Sequence, residues 1–490
     1  MKITFVWIFC FIFINLSVGQ QQYNSVQQAI HLFSDHDALQ NTGISFLAYD
    51  IEKDSIIAQL NHETAIIPAS TVKLFTTATA FEVLGKDFKP KTFLYSRGEV
   101  DSTGTLNGDL IIQGFGDASL GSKYFNDEES QFDFLNEWIK AIESEGIQKI
   151  NGKIIADGSA FGYDGAPNGW SWADMGNYYG AGPSACAVHD NMTRLHFSTP
   201  AQLNYPTRLD SLTPTIPGFQ LFNQVTTHSS RRDKAYVYGT PFSYQRFAIG
   251  SIPRSKSNFE VKASIPDPEL LLAQIFEKSL EEAGIEIKES AVGMRSLLQI
   301  NADTTIHYAE CKKLLEYEGE SIADVAYWTN LRSVNFFAEQ LLSLSAYEKE
   351  GVNTTDKSSK FVNDYWEPRL GIKMMQTDGS GLSRTNAFSA LHFVELLKYM
   401  HKSENFSAYE ETLPIAGESG TLRGVCRGQA AQGRMKAKSG TMNRIKSYAG
   451  YIDSRNGKKI AFALIVNNDD LSNYQLVKRM ERVFNAMANY

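Results

Sequence analysis

Cysteine is scarce in this chain: there are four in 490 residues, and one of them, Cys10, lies in the first apolar stretch. Cys186, Cys311 and Cys426 remain, odd in number and scattered in spacing, so the fold does not depend on a disulfide framework. Isolated buried thiols are the simplest expectation, with a single bridge as the alternative. No Cys/His pair has zinc-ligand spacing and no His-x-x-x-His falls on a helical stretch. Neither a metal nor another cofactor is indicated. Basic residues form no cluster and the net charge is -8, which argues against nucleic acid as a partner. A basic amphipathic helix is also lacking, so membrane association is at most peripheral.

The N-terminus carries a different signal. Lys2 precedes the apolar run Ile3 to Leu16, which is too short to span a bilayer comfortably and ends in Ser17-Val18-Gly19. A positive start, a short apolar segment and small residues at the cut read as a secretory signal peptide, residues 1–19. An uncleaved anchor is the alternative. No cysteine follows the run, so a lipid-modified terminus is not expected. The mature chain is therefore expected to be periplasmic or otherwise extracytoplasmic.

What is present is enough chain for two or three domains, each with its own core. Ser25 to Leu39 has the spacing of an amphipathic helix, and Ile44 to Asp50 with Ser55 to Leu60 reads as a hairpin turning at Glu52-Lys53-Asp54. A helix carrying Ser70 follows and ends near Gly85, a C-cap residue. The far end mirrors this, with strand-like segments Met435 to Thr441, Ser447 to Asp453 and Lys459 to Asn467. Asn456-Gly457 marks a hairpin turn between the last two. A closing helix, Ser472 to Ala488, sets Leu476, Val477, Met480, Val483, Phe484 and Met487 on one face. Strands and helices from both chain ends predict one α+β domain with an antiparallel sheet, built from residues 20–88 and 301–490. Residues 89–300, rich in Gly, Asn, Asp and Pro between short strand-like runs, read as a mainly-β insertion. Its aromatic segment Gly169 to Gly182 is expected to serve the insertion's own core.

The chemistry begins at Pro68 to Ala80, PASTVKLFTTATA. Ser70 and Lys73 are three apart, so on a helix their side chains are neighbours. At a helix start, free N–H groups and the dipole favour negative charge, as an attacking serine and its oxyanion need. Serine is a weak nucleophile until a base takes its proton. Lys73 serves only if neutral, and lowering its pKa from about 10.4 to near 7 takes roughly 4–5 kcal/mol from burial and a neighbouring cation. A second lysine is therefore expected at the site. Lys438-Ser439-Gly440-Thr441 supplies one on a C-terminal strand, with Gly440 leaving room for a ligand backbone. Ser333-Val334-Asn335, ahead of a helical stretch, is a third element. Each alone has a plainer reading: an N-cap with a snorkelling lysine, a helix cap, an edge-strand charge. Ser403-Glu404-Asn405 and Ser454-Arg455-Asn456 also match Ser-x-Asn, so only the ordered set of three carries weight.

In that order and on those elements, Ser70-Thr-Val-Lys73, Ser333-Val-Asn335 and Lys438-Ser-Gly440 resemble the penicillin-recognising serine peptidases. The long first spacing resembles the class C low-molecular-weight penicillin-binding proteins, the D-alanyl-D-alanine carboxypeptidase/endopeptidases. Gly108 to Leu120, Gly176 to Asn191, Asp378 to Arg384 and Ala437 to Tyr451 look like that family too, and the resemblance covers nearly the whole mature chain. It implies a β-lactamase/transpeptidase-like domain, peptidoglycan stem peptides as substrate and β-lactams as inhibitors. It implies Ser70 as nucleophile, Lys73 as base, and Ser333 as the relay of a proton to the departing amine. Asn335 would hold Lys73 and the substrate amide, and Lys438, Ser439, Gly440 and Thr441 would bind the substrate end. The N–H groups of Ser70 and Thr441 would form the oxyanion hole. Ser439 departs from the threonine more common there, which keeps the hydroxyl. Asp378 to Arg384 reads as a supporting loop.

Three rivals are weaker. A β-lactamase needs a carboxylate base for rapid deacylation, and none is evident. An α/β-hydrolase needs Gly-x-Ser-x-Gly, which this chain lacks. A silent wall-binding scaffold would not need Ser70, Lys73 and Lys438 intact.

Overall fold

The structure, a computed structural model, describes residues 25–127, 130–300 and 305–490; the expected signal peptide and Cys10 lie outside them. Five strands define the first domain: β1 (Gly43–Asp50), β2 (Ser55–Leu60), β3 (Met435–Met442), β4 (Ile445–Asp453) and β5 (Lys459–Asn467). They form one antiparallel sheet in the order β3-β4-β5-β1-β2, with β1 and β5 paired from Gly43↔Asn467 to Asp50↔Ile460. The two chain ends therefore meet at the centre of the sheet, as the paired hairpin patterns predict.

The near-continuous apolar runs of β1 and β5 follow from burial on both faces. Phe46, Ala48, Phe462, Leu464 and Val466 point into a core closed by the helices Ser25–Ser34 and Asn473–Ala488. The alternate residues Leu47, Tyr49, Ala461, Ala463 and Ile465 enter a larger core on the opposite face. There they meet α1 (Lys73–Leu84), α2 (Asn335–Glu350) and the helix Ala390–Lys402. The N-terminal helix is shorter than expected: it ends at Ser34, and Asp37–Leu39 is a separate 3-10 turn capped by His36. Gly85 ends α1 at φ 86, where its missing side chain is what permits the turn.

The insertion is more mixed than its composition implies. A seven-stranded sheet carries both parallel and antiparallel pairs and is packed by the helices Asp133–Ser144 and Pro268–Glu282. Two three-stranded sheets, holding Met192–Thr199 and Gln245–Pro253 at their centres, close a smaller all-β core around Leu195, Phe197, Val237 and Val261. The strand Lys312–Glu318 pairs with Lys91–Val100 of the large sheet, so the insertion extends past residue 300. Polar patterning hid that return strand, since its exposed edge reads as a loop. Among the described residues Cys186, Cys311 and Cys426 are free; Cys186 and Cys426 are buried, whereas Cys311 is half-exposed.

Candidate active site

Pro68 to Val72 makes a 3-10 turn, Ala69–Val72, that hands Ser70 and Lys73 to the start of α1. Ala69 is held at φ 50, a left-handed conformation that costs a non-glycine residue on the order of 1 kcal/mol. Two contacts pin the turn: the Thr71 and Ser447 hydroxyls both donate to the Pro68 carbonyl, at 2.8 and 2.5 Å. Gly381 and Gly440 close in from either side. A Cβ on Gly381 would lie 2.1 Å from Ala69 O, and one on Gly440 would lie 2.7 Å from Pro68 O and 3.0 Å from Ser70 N. Gly440 thus makes room for the protein's own serine turn, not for a ligand backbone as the sequence suggested.

The amine of Lys73 is fully buried and donates to Ser70 Oγ at 3.0 Å, Asn335 Oδ1 at 2.7 Å and the Ser380 carbonyl at 2.6 Å. Burial brings its pKa down to about 7, against the pull of the Asp378 and Glu339 carboxylates. In its neutral form the amine keeps two N–H groups for Asn335 Oδ1 and the Ser380 carbonyl and turns its lone pair to the Ser70 hydroxyl, as a serine nucleophile requires. Glu339, on the same helix as Asn335, accepts from Gly379 N at 2.9 Å and Ser380 N at 2.8 Å. Burial and the neighbouring Asp378 push Glu339 up to about 8. Asp378 gathers its own loop, accepting from Gly381 N at 2.8 Å, Ser383 N at 2.7 Å and Asn386 Nδ2 at 2.8 Å. The Trp170 indole also donates to Asp378, at 2.9 Å.

Ser333 stands at φ 60 just before α2 and accepts from Lys438 Nζ at 2.9 Å. Lys438 also donates to its neighbour's carbonyl, Ser439 O, at 2.8 Å. Burial, Lys73 and Lys446 together hold the Lys438 amine well below the ordinary lysine range. The Ser439 hydroxyl donates to Thr421 Oγ1 at 2.8 Å. Asn335 gives one N–H to the Tyr179 carbonyl at 2.8 Å, which leaves its second for a ligand. β3 is the edge strand of its sheet, so alternate N–H groups from Lys438 to Thr441 face away from β4.

The eight sequence-selected residues, Ser70, Lys73, Ser333, Asn335, Lys438, Ser439, Gly440 and Thr441, are brought together from three distant segments around the start of α1. The supporting loop at Asp378 to Arg384 acts as read, through Ser380 O. Three things were not read. Lys446 donates to Thr441 Oγ1 at 2.6 Å, and burial lowers its pKa to about 8. Glu339 braces the loop behind Lys73; its position four residues after Asn335, on the same helix face, was the available signal. The aromatic segment does not serve only the insertion: the Trp170 indole donates to Asp378, the Tyr179 backbone carbonyl accepts from Asn335, and Trp172 and Tyr178 are exposed.

A serine and a buried neutral lysine on an α+β scaffold, faced by a second lysine on an edge strand, define a serine acyl-transfer hydrolase. The family model described as the D-Ala-D-Ala carboxypeptidase 3 (S13) family matches residues 26–489. The chain belongs to that family and is a serine-type peptidase. The D-alanyl-D-alanine carboxypeptidase DacB of Haemophilus influenzae is 26% identical over 87% of this chain and 86% of its own. The D-alanyl-D-alanine carboxypeptidase of an Actinomadura species is 28% identical over 82% of this chain and 73% of its own. The crystal structure of penicillin-binding protein 4 (dacB) from Haemophilus influenzae superposes with a TM-score of 0.77 at 23% identity, covering 93% of this chain and 99% of that one. The same protein complexed with a novel β-lactam gives 0.73 at 22% identity, with the same coverage.

Proposed function

We propose that this D-Ala-D-Ala carboxypeptidase cleaves peptidoglycan stem peptides and their cross-links through an acyl-enzyme on Ser70, and that β-lactams acylate the same oxygen. The carrying observation is the 3.0 Å contact between the buried Lys73 amine and the Ser70 hydroxyl. Lys73 takes the Ser70 proton as Oγ adds to the carbonyl between two D-alanines. The resulting oxyanion faces the N–H groups of Ser70 and Thr441. As the C–N bond breaks, the departing amine takes a proton through Ser333, which Lys438 holds in place. Asn335 keeps Lys73 oriented and offers its spare N–H to the substrate amide. Lys438, Ser439 and Thr441 receive the terminal carboxylate. Water then hydrolyses the ester and returns the proton to the lysine–serine pair.

The carboxylates nearest Lys73 do not supply a dedicated deacylation base. Asp378 and Glu339 are fully buried and turned to the backbone N–H groups of the loop 378–386. Slow turnover of a β-lactam ester follows, which is target behaviour, not β-lactamase behaviour. The N-terminal signal supports a periplasmic or otherwise extracytoplasmic enzyme, and intact-mass analysis of the secreted protein tests whether it begins at Gln20.

The test of the chemistry is labelling with a fluorescent penicillin together with hydrolysis of a pentapeptide ending in D-Ala-D-Ala. Stoichiometric label that maps to the peptide holding Ser70, and vanishes in Ser70→Ala, supports the reading. Full labelling of Ser70→Ala overturns it.

A further inference from the structure

The small all-β unit, residues 192–264, is charged against the rest of the molecule. It holds nine Lys and Arg against three Asp and Glu, a net of +6 in a chain of net charge -8. Its sheet of Gln220–His228, Lys234–Tyr238 and Gln245–Pro253 packs one face on the core of Val225, Val237 and Ala248. The other face is turned to solvent. There alternation along the strands leaves Phe222, Tyr236, Phe247 and Ile249 between 41% and 51% exposed.

Register arranges this face in rows. Phe222 and Phe247 are paired, their ring centroids 4.9 Å apart and their planes 16° apart. In the next row Ile249 pairs with Tyr236 on one side and Gln224 on the other. Gln220 and Gln245 pair just before the phenylalanines, and all three glutamines are exposed. Beyond Ile249 the face turns basic, with Lys234 on its strand and Arg231 and Arg232 exposed in the turn that precedes it. The unit's ion pairs, Arg194 with Glu260 and Arg208 with Asp210, belong to the other sheet. Arg231, Arg232 and Lys234 make no ion pair among the described residues, and Asp233 between them accepts from Ala235 N at 2.9 Å. A lipid surface would strip water from the three carboxamides without offering them hydrogen bonds. A sugar polymer uses every group here: apolar side chains pack on the C–H faces of its rings, carboxamides bond its hydroxyls, and the cations meet its acidic substituents.

We propose that this outer face docks an acidic glycan strand, the backbone of the same cell-wall polymer whose stem peptides enter the cleft. The inference rests on the reading of the cleft for the identity of the polymer, and gives the enzyme a second point of attachment to it. Phe222, Phe247, Tyr236 and Ile249 form the contact surface, and Arg231, Arg232 and Lys234 supply the complementary charge. Attachment there raises the local concentration of stem peptides around Ser70 and leaves the acylation chemistry untouched.

The experiment sediments the full-length mature enzyme, its Ser70 blocked by penicillin, with three probes: intact peptidoglycan, glycan strands stripped of stem peptides, and phosphatidylglycerol vesicles. The native enzyme is expected to bind both glycan probes and not the vesicles, more weakly as salt is raised. Phe222→Ser/Phe247→Ser is expected to weaken glycan binding about tenfold, the worth of an aromatic contact pair. Arg231→Gln/Arg232→Gln/Lys234→Gln is expected to weaken it about threefold and to remove most of the salt dependence. Without penicillin, both variants are expected to keep kcat/KM on a soluble pentapeptide within about twofold and to digest intact peptidoglycan about fivefold more slowly. Tyr236→Ser repeats the test with the stacked pair in place, should the double variant unfold. Unchanged binding in the variants overturns the docking face, as does binding to none of the probes, to vesicles alone, or to intact peptidoglycan but not to stripped strands. Loss of pentapeptide hydrolysis in parallel with glycan binding also overturns it. A native enzyme that binds the strands but hydrolyses no pentapeptide defeats instead the reading of Ser70.

Discussion

Lys446 reaches across the β3-β4 hairpin to Thr441, its Nζ donating to the threonine hydroxyl at 2.6 Å. With Lys446 as donor, the Thr441 hydroxyl keeps its own hydrogen for an acceptor in the cleft. The lysine also places a positive charge directly behind the group that binds the substrate carboxylate. Lys446→Met is therefore expected to raise KM for a D-Ala-D-Ala peptide about tenfold, the worth of one charge-assisted hydrogen bond, with a smaller change in kcat. A substrate amidated at that carboxylate is expected to lose this difference. Steady-state kinetics on both peptides check it, and equal losses on the two refute a role in carboxylate binding.

Lys73 and Lys446 together set the pH profile. Lys73 must be neutral to accept the Ser70 proton, so kcat/KM is expected to fall as pH drops through about 7. Lys446 must be charged to hold the carboxylate, so binding is expected to weaken as pH rises through about 8. A narrow bell between these values follows. In Lys446→Met the upper limb is expected to flatten while the lower limb stays, and a pH series of kcat/KM on native and variant enzyme decides the matter.

Asp378 offers a way to move the lower limb. Its negative charge favours the protonated form of Lys73. Asp378→Asn is therefore expected to shift the ascending limb to lower pH, since the neutral amine becomes easier to reach. The loop that carries Ser380 O loses one acceptor for its N–H groups, and acylation at the optimum is expected to drop about tenfold. A rate loss with no shift of the limb would mean that Asp378 only holds the loop.

Much of this site was legible because local geometry dictates it. A three-residue step on a helix puts Ser70 against Lys73, and hairpin patterns at both chain ends predict the antiparallel sheet they share. The two-residue turn Asn443-Arg444 also sets Lys446 opposite Thr441. What stayed hidden depends on residues far apart in the chain. Ser380 O, 307 positions from Lys73, leaves no periodic trace, and neither does the docking of Trp170 on Asp378. The strand Lys312–Glu318 was missed for a related reason: its pairing with Lys91–Val100 crosses the whole insertion.

Gly440 is the sharpest case of a residue whose type was read correctly and whose reason was not. A ligand-clearance role would let alanine be tolerated in the empty enzyme and cost only substrate binding. The structure instead puts the added Cβ 2.3 Å from Ser447 Oγ, 2.7 Å from Pro68 O and 3.0 Å from Ser70 N. Two of these are backbone atoms of the serine turn and cannot swing aside, while Ser447 is committed to Pro68. Gly440→Ala must therefore push β3 away from the turn, parting Lys438 and Thr441 from Ser70. Penicillin acylation is expected to slow by about a hundredfold, and stability to fall by about 1–3 kcal/mol, even with no substrate bound. Gly424→Ala serves as the control, because a Cβ there meets nothing within 4 Å. Thermal unfolding and acylation rates of the two variants separate the explanations: a Gly440→Ala enzyme with native stability and native acylation, but poor peptide binding, would restore the ligand-clearance account.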